Sequence, residues 1–435
     1  MSELDPIQVA RFERQDGSWR EVLLDGLKVT QIEGFVDAQT KLNQVSSRRA
    51  HRHPTPAAAL KWFRELNTAR GWPPSVVLQR ARAPAKWVGL QPGSVNAELE
   101  AALDGADDRS FGAAARVYTD WLLGEGDPRG ELAAHLQTNA DAFLADHAEV
   151  FFGELDVFIG HEITGLEWHG GLLRAATLRG RVDTMQETLT RMMEQFLELP
   201  VARFVNRLRV GLAHWDPDDH DWGPTFEAIR RSPRAPFLRE LRFEEENDDT
   251  RETRGATLGE LSGWSAFRRL ESLVVYGANG SLGELELPSL EHFVRASTAL
   301  TAGEFESIAR AQWPRLERLT IEFGTRAEGS TVTREHLGSL FANPLPRLRQ
   351  LALTQCEFTD EVISQLAAHP LLELLDMLDL SNGSLSDQHV ELLLRSSSRL
   401  RRLGLLKLDK NALSEAAVAE LTAALPNLST WHQRR

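Results

Sequence analysis

LGLLKLDKNAL, residues 403–413, places leucine at 403, 406 and 408, then Asn411, then Leu413. Neither the two-residue period of a strand nor the 3.6-residue period of a helix generates that spacing. The same pattern, L-x-x-L-x-L-x-x-N-x-L, recurs upstream at Leu375, Leu378, Leu380, Gly383 and Leu385, and again at Leu348, Leu351, Leu353, Cys356 and Phe358. Looser copies precede these: Leu316, Leu319, Ile321; Leu270, Leu273, Val275; Leu238, Leu241, Phe243; Val205, Leu208, Val210; and Leu173, Ala176, Leu178. A degenerate copy at Leu290, Phe293, Arg295 and Leu300 puts a charge in a slot that is otherwise apolar. Steps between equivalent positions run from about 20 to 33 residues, the last two being 27 and 28, which is the period of a stacked repeat.

Helical segments follow the apolar triplets. TDEVISQLAAHP, SDQHVELLLRSSS and SEAAVAELTAALP each open on Ser or Thr with an acid near the first turn, the signature of an N-cap with favourable dipole charge. The unit therefore reads as strand, turn, helix. Over roughly residues 165–430 it resembles the leucine-rich repeat family in its long form, whose units close with a full helix. That resemblance implies an α/β solenoid, with parallel strands on the concave face and helices on the convex face. A single unit has too little apolar surface to bury alone, so its leucines face a core shared with its neighbours. The Asn position turns the chain out of the strand, where a side-chain amide can bond backbone of the adjacent loop; Cys356 occupies one such slot and reads as a buried repeat cysteine.

The non-leucine positions of x-L-x-L-x point away from that core and stack from unit to unit. They are Arg207, Arg209, Glu240, Arg242, Glu244, Val274, Tyr276, His292, Val294, Arg318, Thr320, Glu322, Ala352, Thr354, Asp379, Lys407 and Asp409. Charge gathers at both ends, and a smaller, more apolar strip (Val274, Tyr276, Val294, Thr320, Ala352) lies between, as in a face that anchors a protein partner inside a polar rim. A ladder of mutually paired charges is the competing reading of Glu240, Arg242 and Glu244.

Residues 110–137, SFGAAARVYTDWLLGEGDPRGELAAHLQ, place Val117, Trp121 and Leu122 on one helix face and Leu132 and Leu136 on the next. Gly126 ends the first helix, Asp127 caps the second and Pro128 takes its first turn. Asp120 and Arg129 are placed to pair across this hairpin. A metal held by Asp120, Asp127 and Glu131 is the alternative use of the same letters, and a capping Asp explains them more simply. Y-T-D-W-L followed by G-D-P-R-G-E-L resembles the repeat-companion domain found beside bacterial leucine-rich repeats, over about residues 97–160, and implies no known reaction. GLEWHGGLLRAATL, 165–178, reads as a hairpin sealing the first repeat.

The front end alternates as short strands over residues 7–37, punctuated by Gly17, Gly26 and Gly34, and continues into a helix with Thr55 as N-cap, Pro56 at its first turn, Leu60, Phe63 and Leu66 on one face, and Gly71 as its stop. This order, with R-F-E, W-x-E, L-x-G-x-x-V and an R-G-W end, is similar to the WGR domain, a module that touches nucleic acid in poly(ADP-ribose) polymerases. Where that family has Trp-Gly-Arg, this chain has Glu33, Gly34 and Phe35. Residues 1–95 carry 14 Lys/Arg against 9 Asp/Glu, a net of +5, while the rest carries 35 against 54, a net of −19. The run RRAHRHP reads as a basic, solvated loop. With the later RARAPAKW it makes Arg48, Arg49, Arg52, Arg80, Arg82 and Lys86 candidate polyanion contacts, near Trp62, Trp72 and Trp87. His51 and His53 have no third ligand in the sequence and read as surface histidines.

WDPDDHDW, 215–222, gathers aspartates and a histidine in an acidic insertion that lacks the order of an EF-hand loop. No nucleophile elbow, P-loop or H-E-x-x-H appears, so no catalytic residue, cofactor or metal is expected. The amino terminus has no apolar targeting segment and no stretch is long enough for a membrane span; with a single cysteine, the expectation is a cytoplasmic protein that does not meet a membrane. The reading is therefore a small basic α+β domain (1–95), a helical companion segment (96–160) and a repeat solenoid (161–435). It implies a bacterial, non-catalytic scaffold or adaptor binding a protein on its concave face. Alternatively, the basic domain contacts DNA or RNA in a nucleic-acid-associated regulator.

Overall fold

A computed structural model describes residues 7–13, 18–25, 28–36, 43–52, 56–67, 76–80, 93–136, 140–160, 162–180, 186–211, 221–244 and 256–434. The chain divides into two compact units, Met1–Leu172 with Leu199–Val201, and Leu173–Glu198 with Ala202–Arg435. Among the described residues no helix is long and apolar enough to cross a membrane.

In the first unit, strands β1 (Ile7–Glu13), β2 (Ser18–Asp25), β3 (Lys28–Val36), β4 (Asn43–Arg52) and β5 (Val76–Arg80) form an antiparallel sheet in the order β4-β3-β2-β1-β5. Helix α1 (Pro56–Asn67) lays Ala59 and Phe63 on Ala10, Val22, Leu24 and Val29, with Trp62 and Leu66 packed against that cluster. The RRAHR run is not a loop. It is the second half of β4, paired with β3 from Lys28↔Arg52 to Val36↔Asn43. Its strand character is hidden in the sequence because an edge strand is paired on one side only and tolerates a row of charges. Thr55, Gly71 and Trp72, with Gly17, Gly26, His53, Arg82, Lys86 and Trp87, lie outside the described residues.

The helices α2 (Ala97–Gly105), α3 (Asp108–Gly124), α4 (Pro128–His135) and α5 (Ala140–Phe152) follow. The buried face of α3 is Phe111, Ala115, Tyr118 and Leu122, spaced for one side of a helix. Val117, expected on that face, is 56% exposed, because Tyr118 takes the inward position next to it. Gly126, at φ +73°, releases the chain from α3, and Asp127 caps α4. Arg129 does not reach Asp120. It turns back on Asp127, donating from Nε to Oδ1 at 3.0 Å and from Nη2 to Oδ2 at 2.8 Å, and also donates to the carbonyls of Ser94 (2.6 Å) and Pro200 (3.3 Å). Asp127 in turn accepts from the amides of Gly93, Ser94 and Arg129, which leaves no carboxylate oxygen over for a metal. Burial works to raise the Asp127 pKa, but the Arg129 bond and these amides outweigh it and hold the carboxyl at about 2. Gly130 completes the G-D-P-R-G motif: a Cβ there would stand 2.4 Å from the Leu123 backbone nitrogen.

After strand β6 (Ile163–His169), Gly170 and Gly171, both at positive φ, turn the chain into β7 (Leu172–Leu178), the conformation of a tight two-residue hairpin turn. Then come α6 (Gln186–Glu198), β8 (Arg207–Val210), α7 (Trp222–Arg231), β9 (Glu240–Phe243), β10 (Thr257–Glu260), β11 (Ser272–Tyr276), β12 (Ala278–Ser281), β13 (His292–Ala296) and α8 (Ala302–Arg310). The chain continues through β14 (Arg318–Glu322), α9 (Leu337–Ala342), β15 (Gln350–Thr354), α10 (Thr359–Ala368), β16 (Met377–Asp379), α11 (Val390–Arg395), α12 (Ser397–Leu400), β17 (Leu405–Lys407), α13 (Glu415–Ala424) and β18 (Leu428–Ser429).

This is an α/β architecture built on one long parallel run, β7-β8-β9-β11-β13-β14-β15-β16-β17-β18, with β10 and β12 paired apart as a small parallel sheet. The apolar slots align across it. Ala176, Leu208, Leu241, Leu273, Phe293, Leu319, Leu351, Leu378 and Leu406 are register partners in succession, as are Leu178, Val210, Phe243, Val275, Arg295, Ile321 and Leu353. Each of these is buried, which is the solenoid-like arrangement that makes neighbouring units mutually dependent. Before each strand of the parallel run from β9 to β17, one carbonyl receives two amides of the next unit: Asn206 takes Arg239 and Glu240, Arg239 takes Glu271 and Ser272, and the series continues through Glu271, Glu291, Glu317, Arg349 and Asp376.

The degenerate copy is a true member of the run. Arg295, fully buried, sits at its leucine slot and donates from Nη2 to Glu304 Oε1 at 2.6 Å and from Nη1 to the Ala296 carbonyl at 2.7 Å. Glu304 Oε2 accepts from the amide and hydroxyl of Thr301, so the carboxylate that neutralises the guanidinium also closes the N-terminus of α8. At the last unit Asn411, fully buried, donates to the carbonyls of Leu380 and Leu408 and accepts from the amide of Leu385, each at 3.0 Å, which ties two units together. Position 383 is glycine because a Cβ there would lie 2.4 Å from Thr359 Oγ1 and 3.0 Å from Asn411 Oδ1. Ser414 caps α13 as the sequence suggests, whereas Thr359 does not cap α10; its hydroxyl donates to Cys356 O and accepts from the Ser384 amide. Burial pushes the Cys356 thiol up to about 12, which makes it an inert core residue.

Candidate partner-binding face of the sheet

Alternate residues of the parallel run face away from the leucine core, and the register sorts them into rows. The first row is Arg207, Glu240, Ser272, His292, Arg318, Gln350, Met377 and Leu405; the second is Arg209, Arg242, Val274, Val294, Thr320, Ala352, Asp379, Lys407 and Ser429. A third begins with Tyr276 and continues through Ala296, Glu322 and Thr354. The rows hold the sequence-selected positions apart from Glu244 and Asp409, which follow the ends of β9 and β17, and add Ser272, Gln350, Met377 and Leu405. These four share with Arg207 the place just before the first buried residue of the strand, an offset visible in the repeat alignment.

The charged ends of this face are internally paired. Arg242 donates to Glu244 and, at 3.3 Å, to Glu240, and Arg209 Nε lies 3.6 Å from Glu244. Burial opposes the charge on Arg242, but its bonds to Glu244 and Glu240 raise its pKa all the same. At the other end Lys407 Nζ donates to Asp379 Oδ2 at 2.6 Å. Glu244 and Asp379 are buried, so these carboxylates serve the pairs and offer little surface. Both ends are thus ladders of satisfied charge.

Between them the second row holds only small, uncharged side chains. Val294 and Thr320 are half-buried, while Val274 and Ala352 are buried. Val274, expected as an exposed anchor, keeps 1% of its surface, since it lies between Arg242 and Val294 at one register level with strands on both sides. The exposed part of the strip is therefore narrower than the sequence suggests. On its border His292 Nδ1 lies 3.3 Å from Ser272 Oγ. Burial, reinforced by the charges of Arg318 and Arg242, lowers the His292 pKa to about 4, so the ring is neutral at physiological pH.

Other sequence candidates fall elsewhere. Arg48, Arg49 and Arg52 are on β4 and Arg80 ends β5, which are the two opposite edges of the antiparallel sheet. His51 is exposed and meets the Trp62 ring edge-on at 4.8 Å. Most of the acidic insertion lies outside the described residues. Of its last two members, Asp221 caps α7 and Trp222 belongs to the core, donating from Nε1 to the Tyr276 carbonyl at 2.7 Å.

No family model matches the chain, and no curated protein does. Among solved structures, a crystal structure of a Bacteroides fragilis protein is similar at 15% identity and a TM-score of 0.51, covering 98% of this chain and 97% of its own. That likeness is one of fold. An internalin from Listeria monocytogenes matches at 13% identity and a TM-score of 0.21, covering 60% of this chain and 87% of its own.

Proposed function

We propose that the second unit is a leucine-rich repeat array and that the protein is a non-catalytic interaction scaffold, holding a protein partner on the outward, concave face of the parallel sheet. The observation that carries this reading is the row geometry. Side chains from successive strands are held in register on one surface, with paired charges at both ends and a row of small residues, Val294, Thr320 and Ala352, between them. A rigid strip of this kind suits an apolar anchor from a partner, with the flanking charges as its polar rim. Photo-crosslinking in the native cell tests it. A crosslinker at position 320 is expected to trap a discrete protein adduct, and one at the exposed Glu420 of α13 is expected not to. Adducts at 420 and none at 320 would remove the reading.

The second reading is that the basic front unit contacts DNA or RNA. What supports it is an edge strand carrying Arg48, Arg49 and Arg52 within five residues. Salt-sensitive retardation of nucleic acid by the full chain, lost on Arg48→Glu with Arg49→Glu, is its expected signature; no retardation at low salt discards it.

A further inference from the structure

We infer that the occupant of the outward sheet face is an acidic peptide segment whose carboxylate is taken by Arg318; this rests on the partner-binding reading of the same face. The inference starts from a difference among the charges of that face. Arg242, Glu240, Glu244, Asp379 and Lys407 all have partners within the face. The Arg318 side chain is exposed and makes no hydrogen bond or ion pair with any described residue. An arginine fork held on a strand and left unengaged is ready for a bidentate carboxylate.

Its surroundings favour an anion. At its own register level Arg318 lies between His292 and Gln350, neither of them anionic. His292 is half-buried and feels the charges of Arg318 and Arg242, with Glu240 acting the other way. The next outward residue of β14 is Thr320, level with Val294 and Ala352, and the carboxylate beyond it, Glu322, is four residues from Arg318, about 13 Å along a strand. Glu317, exposed, immediately precedes Arg318 just outside β14.

The same surroundings select a peptide. One arginine beside a neutral row of small residues matches an Asp or Glu next to small apolar side chains. A nucleic-acid backbone would need cations repeated along its path, and two further arginines of this face, Arg209 and Arg242, are held by Glu244 and Glu240.

The test is selection of short displayed peptides on the full-length protein, with Thr320→Trp, which fills the small-residue row, as the counter-target. Peptides lost on Thr320→Trp are expected to share an Asp or Glu. Their affinity should fall about tenfold or more on Arg318→Gln and recover in part on Arg318→Lys. Replacing that Asp or Glu by its amide should cost as much on the native protein and nothing further on Arg318→Gln. Peptides that are sensitive to Thr320→Trp yet indifferent to Arg318→Gln would overturn the role of Arg318 and leave the partner-binding face standing. A selection that yields no peptide sensitive to Thr320→Trp would overturn both.

Discussion

The last units of the parallel run and its middle are held in the same backbone register by different chemistry. From β15 to β17 the inward slots are leucine, and Asn411 bonds backbone of its own unit and the one before. From β9 to β14 aliphatic slots alternate with Phe243, Phe293 and Arg295, and aromatic and ionic groups join the filling. Phe226 packs with Phe243, Trp264 and Phe267, Phe293 meets Trp313 at 4.9 Å, and Arg295 is buried against Glu304. The strand register does not record the change. What the repeat demands of a slot is that it be filled and its polar atoms satisfied; leucine is the simplest answer and not the required one.

The largest expected effect breaks the ionic half of that comparison. Glu304→Ala leaves a guanidinium buried without its counter-charge and is expected to cost about 3–5 kcal/mol of stability in urea unfolding. The pair Arg295→Leu with Glu304→Leu should cost far less, since apolar residues of similar volume replace buried ion pairs nearly neutrally. If Glu304→Ala unfolds as the native chain does, the middle units are not held in this way. A smaller effect probes the last units: Asn411→Ala strips the Leu385 amide and the Leu380 carbonyl of a buried partner, and roughly 1–3 kcal/mol should be lost. Hydrogen exchange should rise first at Leu385, and unchanged protection there would sever the link between the two units.

The smallest effect asks whether another buried arginine pair, Arg129 with Asp127 in the first unit, behaves alike. The Asp127 carboxyl is held at about 2, below an unfolded value near 4, so the native state binds its proton less readily than the unfolded chain does. Its contribution is therefore complete above about pH 4 and is lost as pH falls towards 2, amounting to about 2 kcal/mol. Asp127→Asn should flatten the stability of the first unit across that window. A slope that survives the substitution would assign the acid sensitivity to other carboxylates.

Much of the array was legible because each apolar slot repeats: Leu351, Leu378 and Leu406 pair in succession as the alignment requires. Arg295 looked like a fault because its compensation lies nine residues away in α8, although Thr301 and Glu304 carry a recognisable capping box. Strand β18 escaped notice because only two residues of it pair, with no third leucine to mark them. On the outward face the positions could be read but their partners could not. Whether Arg242 stands free or bonds Glu240 and Glu244 depends on rotamers that spacing does not encode, and the burial of Val274 depends on its neighbours in register. Val117 was misplaced because helical period alone does not choose between adjacent apolar residues, and Tyr118 took the inward position, donating its hydroxyl to Glu100.

The carbonyl that receives two amides at the foot of each strand of the run from β9 to β17 has a mechanical meaning. Pulled from its two ends, the array would carry the load through these paired bonds one after another, Asn206 to Arg239 to Glu271 and onward. Such a chain of links in series yields at its weakest member and then at the next, so extension should proceed as a staircase of single-unit ruptures, each leaving the remainder seated.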